Sequence, residues 1–61
     1  MKITGAGGYV PFYRLDEPGT GKLVNEERII LFNSLATIHD FTIDGEAVAF
    51  IHQESILGYL E

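Results

Sequence analysis

A chain of 61 residues forms one small domain that buries only about 60% of the surface its unfolded form exposes, and without cysteine it has no disulfide or thiolate metal site to reinforce it. Nine carboxylates against four Lys and Arg give a net charge of −5, which repels phosphate backbones and disfavours nucleic acid as a partner. A hydrophobic content of 46% with a mean hydropathy of +0.13 exceeds what so small an interior can hold, so the chain is expected to cover apolar surface as a homo-oligomer or against another protein.

Along the chain, Lys2-Ile3-Thr4 predicts a short strand, and Gly5-Ala6-Gly7-Gly8 a loop that could serve as an arm or a strand-swapping hinge. Neither a signal-type apolar region nor a run of ~18 apolar residues is present, so the expectation is a cytoplasmic protein with no membrane contact. Tyr9 to Leu15 reads as extended, with Pro11 favouring an edge or a bulge because it cannot donate to a ladder. Pro18-Gly19 fits the centre of a type II turn, and Lys22-Leu23-Val24 resumes an extended segment.

Residues 26–36 admit two readings. Asn25-Glu26-Glu27 with Leu31, Leu35 and Ile38 has the spacing of a capped helix, whereas Arg28-Ile29-Ile30-Leu31-Phe32 is a short β-branched run closed by Asn33-Ser34. The strand is preferred and a helix at about 26–36 is the alternative. Asp44-Gly45 then joins two alternating runs, the strongest short-range signal for a tight hairpin. A two-residue turn there pairs Ile43 with Glu46, Thr42 with Ala47, Phe41 with Val48, Asp40 with Ala49 and His39 with Phe50. One face then carries His39, Phe41, Ile43, Glu46, Val48 and Phe50 and is expected to be the core. The other, with Thr42, Ala47, Ala49 and Ile51, is expected to meet a neighbour. Gln53-Glu54 interrupts, and Ser55 to Leu60 forms a last strand. Residues 1–61 therefore read as a single small all-β domain, a small SH3-like barrel or a strongly bent antiparallel sheet of about five strands.

The residues that could carry chemistry favour structural roles. Gly19-Thr20-Gly21-Lys22 resembles the end of a phosphate-binding loop, but Asp16 stands where its first glycine belongs and Leu23 where its magnesium-binding hydroxyl belongs, so no nucleotide cofactor is expected. His39 and His52 share a face with Glu54 nearby, yet they lack short ligand spacing, and no metal is expected. Ser34, Ser55 and Thr4 have no second layer of groups to build a triad in so short a chain, so the protein is expected not to be an enzyme. Tyr9, Phe12 and Tyr13 beside Arg14 have the composition of interface anchors. The expected contact residues are Tyr9, Phe12, Tyr13, Ala47, Ala49, Ile51 and His52.

Gly21-Lys22-Leu23-Val24-Asn25-Glu26-Glu27 and Phe50-Ile51-His52-Gln53-Glu54-Ser55-Ile56 resemble the two signatures of the Sm-like family of small β-barrels, to which the Hfq ring belongs. The first resembles the glycine-apolar segment of a long bent second strand, and the second resembles the join between the last two strands. His52-Gln53 stands where the family carries a basic residue and glycine, and Leu31-Phe32 where its RNA-pocket asparagine falls. The resemblance implies a small barrel that closes into rings by strand pairing across subunits.

The function expected from these readings is a non-enzymatic, oligomerising, protein-binding or regulatory module. One alternative is an Sm-like RNA-binding ring using Lys22, Arg28 and His52. Another is an acidic inhibitor or nucleic-acid mimic that presents Glu26, Glu27, Asp40 and Glu46 to a basic groove on a target protein.

Overall fold

Turns dictated by backbone chemistry divide the chain into strands. In the computed structural model, which describes residues 2–60, Asp44 and Gly45 both take positive φ (50° and 81°), the pair of conformations that a type I′ hairpin turn demands. Gly19 has φ 79°, and the Thr20 N–H donates to the Glu17 carbonyl at 3.3 Å, closing the expected type II turn. Between such turns run six antiparallel strands: β1 (Tyr9–Arg14), β2 (Thr20–Leu23), β3 (Ile29–Phe32), β4 (His39–Ile43), β5 (Glu46–His52) and β6 (Ile56–Leu60). A 3-10 turn, Gln53–Ser55, links the last two.

The strands form one sheet in the order β4-β5-β1-β2-β3-β6. In a flat sheet β5 and β6 would lie four strand spacings apart, about 19 Å at ~4.8 Å each. The 3-10 link between them advances only about 2 Å per residue over its three residues. The sheet must therefore bend strongly, which brings the two ends of β1-β2-β3 towards each other. It does not close into a barrel: β4 pairs only with β5, β6 only with β3, and the strands number six rather than about five.

The concave side of the bend holds the core. Phe12, Leu23, Ile30, Phe32, Ala49 and Ile51 are buried there, with Val10, Ala36, Ile38 and Ile56 packed at its margin. Phe12 and Phe32 meet edge to face at 5.2 Å between ring centroids, reaching across β2 from β1 and β3. Gly21 on β2 makes this possible, since a Cβ there would overlap Cδ2 of the Phe12 ring. Fully burying a side chain of this size contributes about 1.5–3 kcal/mol.

Three expectations and one alternative are corrected. Lys2–Thr4 is not a strand but an irregular arm, tied down where the Asn25 side-chain amide donates to the Ile3 carbonyl. The alternative helix at 26–36 does not form: Glu27 turns the chain at φ 57°, Ile29–Phe32 is a strand, and Asn33 starts a turn by accepting from the Leu35 and Ala36 amides. Pro11 lies on an interior strand. Its carbonyl accepts from the Val24 N–H, so its nitrogen faces the same side, where β2 has just ended at Leu23 and the ladder needs no further donor.

The fourth correction concerns the hairpin. Its register is the expected one at all five pairs. Its faces are not divided as expected: Val48 is buried on the expected core face, but Phe41 there is 54% exposed and Phe50 only half-buried, while Ala49 and Ile51 of the other face point into the core beside Phe12. The register gives the reason. Phe12 of β1 sits opposite Ala49, and the aromatic ring fills the space a larger side chain on β5 would need.

Candidate functional site

Around the buried Val48, this division of faces leaves an aromatic surface on the convex side of β4-β5-β1. Alternation and register place Tyr9 beside His52, Pro11 beside Phe50, and Phe50 beside His39. The rings interlock edge to face: Phe41 on Phe50 at 5.7 Å and 82°, Tyr9 on His39 at 5.7 Å and 71°, and Tyr9 on His52 at 5.2 Å and 86°. Tyr9, His39, Phe41 and Phe50 line an open groove of about 440 Å³, with Thr4, Gly5 and Ala6 of the N-terminal arm as its rim. None of these lining residues is Asp, Glu, Lys or Arg.

The arm is shaped to make that rim. The Tyr9 N–H donates to the Ala6 carbonyl at 3.1 Å, and Gly7 and Gly8 take φ 65° and 85°, so residues 2–6 fold back towards the start of β1. A second groove, of about 360 Å³, lies on the far side of Thr4 and Gly5 and is lined by Lys2, Pro11, Leu23, Asn25 and Glu26.

Beside the aromatic groove runs the free edge of β4. The opposite edge, β6, has the sequence Ile-Leu-Gly-Tyr-Leu, without a charge or a proline. Leu57, Tyr59 and Leu60 on it are 74%, 47% and 57% exposed. A register shift between Leu31 and Phe32 of β3 leaves Leu57 as the extra residue of a bulge.

Charged groups hold the frame around these surfaces. Arg14 makes a bidentate pair with Asp40, Nε to Oδ1 at 3.0 Å and a terminal nitrogen to Oδ2 at 2.9 Å, spanning from β1 to β4 across β5. Only small side chains on β5 permit that span, and Ala47 and Ala49 lie on that side. Lys22 pairs with Glu27 at 3.0 Å, and the Arg28 guanidinium lies 4.0 Å from the centroid of the Tyr59 ring. The Tyr13 hydroxyl donates to Glu46 at 2.9 Å. That hydrogen bond, then desolvation and the carboxylate charge, raises the phenol above its ordinary pKa of 10.0.

The expected contact residues divide. Phe12, Ala49 and Ile51 are interior and offer no surface, while Ala47 is exposed beneath the Arg14–Asp40 bridge. Tyr9 belongs to the groove, and Tyr13 lies on the same convex side. His52 braces the chain locally, since its Nδ1 accepts the Glu54 N–H at 3.3 Å, capping the 3-10 turn, and its ring sits where a Gly8 side chain would stand. The Glu54 carboxylate, at 4.0 Å, is at the limit of an ion pair with that nitrogen. Among the described residues no group of three or more His, Asp and Glu is placed to hold a metal. His39, Phe41 and Phe50 complete the groove without having been expected there, because the sequence pattern placed them in the core.

No family model matches the chain, and neither a curated protein nor a solved structure matches it. No helix among the described residues is long and apolar enough to cross a membrane.

Proposed function

We propose that this chain is a non-enzymatic protein-binding module that self-associates through the β6 edge. The observation that carries the reading is an edge strand, paired on one side only among the described residues and free of charge and proline in a chain holding nine carboxylates, with three large apolar side chains exposed along it. Sheets normally guard such an edge with lysine, proline or a cover. Antiparallel pairing of β6 with β6 of a second copy is isologous, so it closes as a two-fold dimer and extends the sheet through both copies. It leaves the β4 edges and aromatic grooves at the two far ends for other partners.

Light scattering across a dilution series tests this. A dimer that dissociates on dilution is expected, and Leu57→Lys or Leu60→Lys should give a folded monomer, both positions being exposed. A folded monomer at every concentration, or a dimer indifferent to both substitutions, would overturn the reading.

A further inference from the structure

We infer that the aromatic groove and the β4 edge together bind an extended basic peptide segment, whose backbone adds to β4 and whose Arg or Lys side chain enters among Tyr9, Phe41 and Phe50. This rests on the reading of the chain as a protein-binding module, and it names the partner's chemistry.

Geometry provides the strand site. β4 is an edge, and two of its side chains, His39 and Phe41, line the groove. A strand laid along β4 gains main-chain hydrogen bonds, and every second side chain falls on the groove side of the sheet. Phe41, at 54% exposure, is the wall such a side chain meets first.

Charge provides the specificity. Aromatic rings attract a cation over their π faces, and Tyr9, Phe41 and Phe50 line the groove with no Lys or Arg among its lining residues. The chain's own cations are placed elsewhere: Arg14 on Asp40, Lys22 on Glu27, Arg28 over Tyr59, and Lys2 in the neighbouring groove beyond Gly5. Arg28 on Tyr59 shows the same pairing made within the molecule. A net charge of −5 further draws a basic segment in and repels an acidic one.

The probe is a fluorescently labelled peptide of alternating valine and arginine, compared with one in which citrulline, the neutral isostere, replaces arginine. Fluorescence anisotropy should show saturable binding of the arginine peptide and at least about tenfold weaker binding of the citrulline peptide, the factor that ~1.4 kcal/mol represents. Phe41→Ala, which leaves net charge unchanged, should lose most of the affinity. His39→Arg, which puts a fixed cation in the groove, should lose it too; thermal melts verify that each variant is folded. Equal binding of both peptides, no binding of either, or Phe41→Ala binding like the parent would overturn the inference. So would a Phe41→Ala protein that becomes monomeric, because the groove would then be covered by a second copy. Loss of peptide binding with an intact β6 dimer removes this inference and leaves the proposed function standing.

Discussion

A methyl group at Gly21 would press on Phe12, whose ring is fully buried against Phe32. The ring has no free volume to retreat into, so Gly21→Ala is expected to cost about 1–3 kcal/mol by overpacking. In a domain of this size each kcal/mol lowers the melting temperature by about 4–8 °C, which a circular dichroism melt resolves. A second prediction concerns Tyr13. Its hydrogen bond to Glu46 favours the neutral phenol, so Tyr13 ionises above the usual 10.0, and Glu46→Gln moves it back down in an ultraviolet titration. Because the folded-state value is the higher one, this bond's contribution is fully present below the unfolded tyrosine value and is lost as pH rises through the folded value. Loss of stability from this bond is therefore confined to strongly alkaline solution.

At the scale of elements, the Arg14–Asp40 bridge joins β1 to β4 over the small residues of β5, with side chains 52% and 62% exposed. Exposed pairs contribute about 0–1 kcal/mol, so Asp40→Asn should change unfolding free energy by no more than that in a urea titration. A larger loss would mean that the bridge fixes the β4 edge. The hairpin that carries Asp40 shows what the sequence makes legible. Asp44-Gly45 admits positive φ at both turn positions, and a two-residue turn leaves one register, so all five pairs follow from local chemistry. The inward face does not follow, since Phe41, Val48 and Phe50 on one side and Ala49 and Ile51 on the other are both apolar. Phe12, Leu23 and Ile30 make that choice from distant strands by filling the concave side with bulk that only alanine opposite Phe12 accommodates. The groove was hidden for the same reason. Its aromatic residues carry the pattern of a core, and only the bend of the whole sheet turns them outward.

At the scale of the molecule, the proposed self-association through β6 ties stability to concentration. Binding that favours the folded form raises the midpoint by mass action, so the melting temperature should rise with protein concentration and stop doing so in Leu57→Lys. A midpoint independent of concentration over the range in which light scattering reports a dimer would contradict the coupling. The short link Gln53–Ser55 bears on the chain's synthesis as well as its shape. β1, β2 and β3 leave the ribosome first, yet β1 waits for β5 and β3 for β6, the partners on either side of this link. The β1 flank of the first meander is covered only once residues through His52 are made, and the β3 flank only once residues through Leu60 are made. Pairings this distant in sequence also place closure on the slow, millisecond-to-second side of small-domain folding. A nascent chain halted before the link leaves the β3 flank bare, an unsatisfied strand edge that other unfinished copies can pair with on the same polysome.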